Sequence, residues 1–466
     1  MLQTVAMLAS ELSAGRTTSR KLVEQALQRI SDPAGEGARA FMKVYKEAAL
    51  AEADASDRLR ALGIVRSPVD GLPISVKDLF DISGDVTRAG SVALAGNPPA
   101  SADAPAVARL RAAGAVVIGR TVTVEFAFGG VGLNPHYGTP KNPFDRASGG
   151  RIPGGSSAGA AVSVADGMAV MGLGSDTRGS VRIPSSMCGI VGFKPTARRV
   201  PKEQCFPLSY TLDSVGPLAP SVACCALYDA ILAADGPASV AAPPTPLPPK
   251  SLRLLVPRGS MLFADLQLAV SDAFERALTT LKAAGATLVE VDAPQVERAH
   301  ALYGGGGFAA PEAWQIHRDI YAKHKDEYDP RVASRIAAGE ACSAADYVQL
   351  GFDRRKVIGE FEQLLQGYDA MLYPTTAITA PTIAEVDSSD AEYARLNLLL
   401  LRNTGLMNLL DGCAASVPCH APGEAPVGLS VAGLAMSDKH ILAVAQGVES
   451  ALAGGGDAPS KKRARE

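Results

Sequence analysis

The sequence predicts an α/β fold, and two observations lead to that prediction. Short β-type runs alternate with stretches of helical periodicity along most of the chain, which is typical of a sheet covered by helices. The chain also has 466 residues, of which 47% are hydrophobic and 20% charged. It is therefore long and apolar enough to bury a large core.

Residues 1–65 are predicted to form a helical N-terminal segment. Their apolar residues recur at spacings of three and four, as at Leu22, Ala26 and Ile30, and residues 17–19 are candidate helix caps. The segment lacks a basic region followed by an unbroken apolar core, so we expect no signal peptide. No part of the sequence reaches the roughly 18 uninterrupted apolar residues that a membrane helix needs.

Residues 66–453 are predicted to form one α/β domain. We expect a helical insertion in it over about residues 300–366, and a disordered tail of low apolar content over residues 454–466. The predicted strands cover residues 71–78, 115–120, 252–257, 286–292, 368–374, 413–419 and 426–433, and the predicted helices include residues 103–114, 268–284 and 343–366.

The charge and the cysteine content of the chain limit the kinds of binding partner and the cellular compartment that we expect. The chain has 45 Lys and Arg against 48 Asp and Glu, for a net charge of -3, so there is no overall electrostatic reason to bind nucleic acid or an anionic membrane. Seven cysteines are too few for a disulfide scaffold in a chain of this length, and the odd number leaves one unpaired. A reducing, cytoplasmic location is therefore expected.

One motif suggests a nucleophile elbow. Residues 155–159 match the G-x-S-x-G pattern with Ser157 at its centre, but that motif needs a strand before the serine, and the preceding residues are rich in turn formers. It also needs a histidine base. The candidates downstream are His300, His317, His324, His420 and His440.

Metal and phosphate sites have little support in the sequence. There is no H-E-x-x-H motif, and Cys224 and Cys225 are adjacent rather than spaced for chelation. The glycine-rich loop of P-loop nucleotide-binding proteins is also absent. We therefore expect neither a metal ion nor a bound nucleotide.

A lysine and two glycine-flanked serines suggest another chemistry. Lys77 ends a predicted strand, Ser156 lies in a Gly-Gly-Ser-Ser turn, and Ser180 follows Gly179. A serine hydroxyl is a nucleophile only when a base is within reach. A lysine removed from water loses its preference for the charged form and can accept a proton, which a second serine can relay. Backbone N–H groups around residues 176–180 can stabilise an oxyanion.

Four segments of the chain resemble the amidase signature family of serine hydrolases. They are LPISVKD at 72–78, YGTPKNPFD at 137–145, PGGSSAG at 153–159 and GSDTRGSVRIPSSMCGIVGFKPT at 174–196. The resemblance is detailed from about residue 71 to residue 220 and continues in YPTT at 373–376 and PVGLSVAG at 426–433. It implies a central mixed β-sheet covered by helices.

The resemblance also assigns catalytic roles. It makes Ser180 the nucleophile, Ser156 the proton relay after a cis peptide bond from Gly155, and Lys77 the base, with the two serines 24 residues apart. An acyl-enzyme would form on Ser180 and be hydrolysed by water, without a metal or an organic cofactor. The implied oxyanion hole consists of the backbone N–H groups of Thr177, Arg178, Gly179 and Ser180.

Other residues of these segments are interpreted as support. Ser157 is either a hydrogen-bonding support or the cap of the following helix, and Asp176 and Arg182 are expected to hold the loop by polar contacts. Arg178 departs from the family, which usually has glycine there. Our default expectation is that its side chain points to solvent; the alternative is that it orients a polar or anionic acyl substituent of the substrate.

The resemblance implies hydrolysis of the carbon–nitrogen bond of a small-molecule amide, with carbamates and esters as side substrates. Two alternatives stay open: the catalytic A-type subunit of a glutamine amidotransferase complex, and a urea-, biuret- or carbamate-type hydrolase. Ile183 stands where that A subunit commonly has glutamine, which favours a free-standing enzyme. A homodimer is compatible with the sequence. Residues 126–138 and 303–320, the latter with Trp314, are the predicted pocket walls.

Overall fold

An eleven-stranded sheet runs through the protein. The computed structural model describes residues 2–454. The strands are β1 (Phe41–Val44), β2 (Pro73–Lys77), β3 (Val116–Thr121), β4 (Met171–Asp176), β5 (Val191–Lys194), β6 (Ser214–Ala219), β7 (Arg253–Val256), β8 (Thr287–Glu290), β9 (Ala370–Pro374), β10 (Cys413–Pro418) and β11 (Gly428–Gly433).

The order of the strands is β1-β3-β2-β4-β6-β5-β10-β11-β9-β7-β8. Parallel pairs, such as β2 with β3 and β4, lie beside antiparallel pairs such as β4 with β6. The sheet is therefore mixed, as the sequence resemblance implied. Every strand predicted from an apolar run is confirmed.

Helices cover the sheet and connect its strands. They are α1 (Val5–Ser13), α2 (Ser19–Ser31), α3 (Gly37–Ala40), α4 (Lys46–Ala61), α5 (Pro105–Ala112), α6 (Ala158–Ala165), α7 (Arg182–Cys188), α8 (Val222–Ala233), α9 (Leu268–Ala283), α10 (Gln295–Ala301), α11 (Ala309–His324), α12 (Pro330–Ala337), α13 (Ala344–Leu364), α14 (Ile383–Val386), α15 (Asp390–Leu409) and α16 (Asp438–Gly454). Within residues 2–454, no helix combines the length and the apolar character that crossing a membrane requires.

The N-terminal segment contributes to the sheet as well as to the helical cover. It contains α1 to α4, and Thr18 caps α2 by accepting a hydrogen bond from the Lys21 N–H. It also contains β1, which pairs with β3 at one edge of the sheet. Residues 300–366 contain α11, α12 and α13. Of the predicted tail, Gly454 ends α16, and residues 455–466 lie outside the described residues.

The packing of α6 on the sheet explains why small residues fill this part of the sequence. A Cβ atom at Gly159 of α6 would lie 2.3 Å from the Ala40 carbonyl oxygen, and one at Gly172 of β4 would lie 2.9 Å from the Ala160 Cβ. Only glycine permits such a close approach of helix and strand. A Cβ atom at Gly174 of β4 would lie 2.9 Å from Ser157 Oγ, so the serine turn before α6 lies over the second half of β4.

Candidate active site

Lys77 is the last residue of β2, a strand buried along its whole length between β3 and β4. Its side chain is completely buried, and its Nζ lies 2.7 Å from Ser156 Oγ and 2.9 Å from Ser175 Oγ. Ser175 was not among the predicted site residues. It belongs to β4, and its position next to Asp176 in the GSDT segment was the only signal for it.

The buried environment changes the protonation of Lys77. Burial lowers the pKa of its amine to about 7, although the negative charges of Asp176 and Asp213 oppose the shift. Both hydroxyl partners of Nζ are neutral, so no close carboxylate restores the charged form. A substantial fraction of neutral amine is therefore present at neutral pH, and this amine can accept a proton.

Ser156 lies in a tightly constrained turn. The Gly155–Ser156 peptide bond is cis, and the Ser156 carbonyl oxygen accepts hydrogen bonds from Thr123 Oγ1 at 3.0 Å and the Val124 N–H at 3.2 Å. A Cβ atom at Gly155 would lie 2.8 Å from the Gly132 nitrogen, so only glycine fits there. These contacts direct the Ser156 hydroxyl towards Lys77.

Ser180 follows a loop that leaves the end of β4. Its carbonyl oxygen accepts a hydrogen bond from the Ser157 N–H at 3.2 Å, which brings the two serine segments together. Its side chain lines a cavity. The structure thus joins Lys77 to Ser156 by a hydrogen bond, but it shows none between the hydroxyls of Ser156 and Ser180. Such catalytic hydrogen bonds often form only when substrate is bound.

Asp176 organises this loop. Its carboxylate accepts hydrogen bonds from the Gly179 N–H at 2.7 Å and the Val181 N–H at 3.1 Å, and from Arg182 Nη2 at 2.9 Å. Burial alone would raise its pKa, but the charge and hydrogen bonds of Arg182, the charge of Lys194 and the hydrogen bond from Asn408 lower the pKa to about 2. Arg182 is also completely buried and donates to Asn408 Oδ1 at 2.7 Å.

Three backbone N–H groups of the loop have no hydrogen-bond partner among the described residues. Because the Gly179 N–H is already donated to Asp176, the predicted role of Gly179 as an oxyanion donor is not seen in this arrangement. Glycine is needed at position 179 for two reasons. Its φ is 128°, and a Cβ atom there would lie 2.1 Å from Thr404 Oγ1. The N–H groups of Thr177, Arg178 and Ser180 donate to none of the described residues.

Two sequence-based alternatives are wrong. Ser157 occupies the N-cap position of α6, but its side chain makes no capping hydrogen bond; its Oγ lies 3.4 Å from the Ser175 carbonyl oxygen. The nucleophile elbow also fails, because residues 152–155 do not form a strand. No histidine of the described residues hydrogen-bonds to Ser157. His317, for example, is buried against Phe126, with its Nδ1 3.0 Å from the Tyr328 hydroxyl.

The cavity next to Ser180 has a volume of about 330 Å³. Both predicted wall segments contribute to it, with Phe128 from the first and Tyr303 from the second. Trp314 does not line it and instead packs against Tyr321. A third wall, formed by residues of α15, was missed by the sequence analysis. The lining residues are Phe128, Gly129, Thr177, Arg178, Ser180, Leu208, Leu212, Tyr303, Gly305, Gly306, Ala309, Ala310, Arg335, Ala338, Asn397, Leu398 and Leu401.

The Arg178 side chain does not point to solvent, so our default expectation for it is wrong. Its guanidinium lies 3.8 Å from the centre of the Tyr303 ring, and the Tyr303 hydroxyl donates to the Gly405 carbonyl oxygen at 2.7 Å. A Cβ atom at Gly405 would lie 2.9 Å from Arg178 Cγ, so this glycine makes room for the side chain. Tyr303 is 125 residues away in sequence, which is why no local pattern indicated the contact.

The comparison with known families agrees with this geometry. A family model described as Amidase matches residues 21–442. The chain belongs to the amidase family. As a member of that family it is a hydrolase that acts on amide carbon–nitrogen bonds.

Two relatives and one solved structure show how far the similarity extends. The amidase is 37% identical to 2-amino-5-chloromuconic acid deaminase of Comamonas testosteroni over 86% of each chain. It is 36% identical to the 1-carboxybiuret hydrolase subunit AtzE of Pseudomonas sp. (strain ADP), over 80% of this chain and 81% of the relative. A crystal structure of an amidase superposes with a TM-score of 0.84 at 34% identity, covering 96% of this chain and 99% of the other.

The buried pair of Asp176 and Arg182 gives a prediction about the stability of the amidase. We expect Asp176→Asn to lower the free energy of unfolding by about 3–5 kcal/mol, because it leaves the Arg182 guanidinium buried without its counter-charge. Urea denaturation measures the change. Asp145→Asn is the matched control, since Asp145 pairs with a partly exposed Arg151, and such pairs contribute about 1 kcal/mol or less. Equal losses in the two variants would contradict the structural role of Asp176.

Proposed function

We propose that this amidase hydrolyses a small-molecule amide through an acyl-enzyme on Ser180. The observation that carries the proposal is the contact of a completely buried Lys77 with Ser156, at 2.7 Å, in a site where its pKa is lowered to about 7. A lysine that is partly neutral at pH 7 can serve as a general base. Ser180 lines the adjoining cavity, where a substrate carbonyl can reach it.

Acylation moves one proton along the three residues. The Ser180 oxygen attacks the amide carbon, its proton passes to Ser156 Oγ, and the Ser156 proton passes to the neutral Lys77 amine. The carbonyl electron pair moves to oxygen, where the free N–H groups of Thr177, Arg178 and Ser180 stabilise the oxyanion. When the carbon–nitrogen bond breaks, the leaving nitrogen takes a proton from Ser156, which takes one from Lys77.

Deacylation repeats the sequence with water. A water molecule attacks the Ser180 ester while its proton passes through Ser156 to Lys77. Breaking of the ester bond then returns a proton to Ser180 Oγ and releases the carboxylic acid. The same attack and the same oxyanion stabilisation apply to esters and carbamates, so we propose these as side substrates.

The cavity supports a small substrate. Its volume of about 330 Å³ lies at the lower end of the range for small-molecule sites. The relatives named for a muconic acid derivative and for carboxybiuret support two substrate classes, an unsaturated acid and a biuret-type compound. Both names describe small molecules that carry a carboxyl group, which fits a cavity of this size.

Assembly into a larger complex is the alternative proposal. One relative is named as a hydrolase subunit, and this name supports the proposal that the present chain also binds a partner protein. The A-type amidotransferase subunit commonly has glutamine where this chain has Ile183, and Ile183 is completely buried in α7. We therefore favour a free-standing enzyme, and the mass of the purified protein in solution separates a monomer, a homodimer and a complex.

All seven cysteines are free. Four of them, Cys188, Cys224, Cys225 and Cys413, are buried thiols of the core. Free buried thiols are typical of proteins from reducing compartments, which supports the proposed cytoplasmic location.

The Ser156 relay predicts a difference between amides and esters. We expect Ser156→Ala to reduce kcat about 10²- to 10⁴-fold for an amide, because the amine must be protonated to leave, and at least about tenfold less for the matching ester. Paired amide and ester substrates with the same acyl group measure the ratio. Ser163→Ala removes a buried hydroxyl of α6 that bonds to Ser75 and the Ala160 carbonyl, and it should leave the ratio unchanged. Equal losses on both substrates would contradict the relay.

A further inference from the structure

The cavity beside Ser180 has an unusual charge distribution. Two guanidinium groups line it, those of Arg178 and Arg335, and none of its lining residues is acidic. Neither arginine forms an ion pair with another residue in the part of the chain that the structure describes. A site of this kind presents positive charge to whatever occupies it.

Arg178 is held so that its hydrogen-bond donors stay available. The carbon Cζ of its guanidinium lies over the Tyr303 ring, 3.8 Å from the ring centre, and Thr404 Oγ1 donates to the Arg178 carbonyl oxygen at 2.6 Å, which fixes the backbone. Its buried Nε has no hydrogen-bond partner among residues 2–454. Stacking uses the face of a guanidinium and leaves the N–H groups in its plane free to bind a carboxylate by two parallel hydrogen bonds.

Arg335 approaches the same cavity from α12. Its Nε donates to the Arg331 carbonyl oxygen at 2.8 Å, and its guanidinium lies 5.2 Å from the centre of the Phe128 ring. Its Nη2 lies 3.4 Å from the Tyr393 hydroxyl. Arg335 therefore keeps donors for a second contact with an anion, whereas Arg331 on the same helix is fully engaged with Asp387 and Asp390.

The position of Arg178 in the chain relates the anion to the reacting carbonyl. Arg178 is two residues before Ser180, so their Cα atoms are at most about 7 Å apart. Its backbone N–H is one of the donors without a partner among the described residues, and the residue lines the same cavity as Ser180. A group bound by this side chain therefore occupies the same cavity, of about 330 Å³, as the carbonyl that Ser180 attacks.

We propose that the substrate is a short-chain amide whose acyl group ends in a carboxylate, bound by Arg178 with Arg335 as the second cation. This inference rests on the proposed function and specifies its substrate class. Pairing an unpartnered, half-buried cation with a carboxylate adds a charge-assisted hydrogen bond that the cavity residues do not supply. A neutral substrate of the same shape leaves the cation unpaired and reacts more slowly.

The test compares monoamides and diamides of the same dicarboxylic acids, of which succinamate and succinamide are the first pair and glutaramate and glutaramide the second. The two members of each pair have the same length and differ in the charge at the far end. We expect the wild type to show a kcat/KM about 100-fold higher for the monoamide, since hydrogen bonds between charged groups discriminate by this order. A preference below about threefold would overturn the inference.

Four variants test whether the preference for the monoamide comes from the arginines that line the cavity. Arg178→Gln should reduce the preference for the monoamide to about threefold or less. Arg178→Lys should retain part of this preference, because lysine keeps the charge without the planar fork. Arg335→Gln should give an intermediate preference. Arg298→Gln removes an equal charge from an exposed pair with Glu360 and should keep the wild-type preference. A wild-type preference in Arg178→Gln would overturn the inference.

A binding measurement separates this inference from the proposed function. Calorimetric titration of glutarate into Ser180→Ala needs no catalysis, and we expect binding that is lost when Arg178→Gln is added. If the wild type hydrolyses diamides as fast as monoamides and glutarate does not bind, the inference fails and the proposed function stands. If glutarate binds through Arg178 but no amide or ester acylates Ser180, the proposed function fails and the binding site stands.

Discussion

Replacing Ser180 by alanine is expected to abolish amide hydrolysis, with kcat falling about 10⁴-fold or more, the order found when the nucleophile of a serine hydrolase is removed. Ser180 lines the cavity together with Thr177 and Arg178, and no other serine is among the described residues that line it. Purified Ser180→Ala should therefore turn over neither amides nor esters, while its melting temperature stays close to that of the wild type.

Ser186→Ala is the matched control for this loss. Ser186 is a buried serine of α7 in the same segment, and its hydroxyl has no hydrogen-bond partner among the described residues. Removing it should change kcat less than about threefold, because no hydrogen bond is lost. Substantial turnover by Ser180→Ala, or a loss of similar size in Ser186→Ala, would contradict Ser180 as the nucleophile.

Replacing Lys77 by methionine is expected to lower kcat for amides about 10²- to 10⁴-fold, the usual contribution of a general base. Methionine fills a similar volume but accepts no proton. In the wild type, Lys77 must be neutral to act, and burial lowers its pKa to about 7. Below that value kcat/KM should therefore fall tenfold for each unit of pH, and above it kcat/KM should level off. The residual activity of Lys77→Met should lack this dependence.

Lys194 is a matched control because it is the same residue type in a similar environment. It is completely buried, burial lowers its pKa to about 8, and its Nζ donates to the Pro195 and Gly412 carbonyl oxygens. We expect Lys194→Met to lower the free energy of unfolding, since two acceptors lose their partner, but to keep the pH midpoint near 7. A wild-type pH profile in Lys77→Met would exclude Lys77 as the base.

The fold could be predicted from the sequence wherever the buried residues of a strand form a run of apolar residues. Strand β3 begins with the apolar run VVI and strand β9 reads AMLYP, and the predicted positions of both are confirmed. The strand β4 was missed because its sequence, MGLGSD, contains two glycines that weaken any strand pattern. Those glycines are present because α6 and the Ser157 turn pack against this strand, which is a tertiary constraint that no local pattern shows.

The candidate site, too, could be predicted only in part from the sequence. Lys77, Ser156 and Ser180 lie in three separate segments, and only their resemblance to one family linked them before the structure was known. The structure adds Ser175 beside Lys77 and assigns the Gly179 N–H to Asp176. It also shows that the Arg178 guanidinium lies over the Tyr303 ring, whereas we expected this side chain to point to solvent. The contacts of Ser175 and of Arg178 join residues of different elements, and that of Gly179 depends on how the loop folds, so local sequence patterns do not show them.

The most direct test of the central claim is covalent labelling of the wild-type protein with a fluorophosphonate, followed by mapping of the modified peptide by mass spectrometry. We expect a label on Ser180 alone, at a rate that rises with pH through about 7 as Lys77 loses its proton. In Lys77→Met the same label should form much more slowly. A label on Ser157, or labelling of Ser180 at the same rate without Lys77, would contradict the proposed catalytic arrangement.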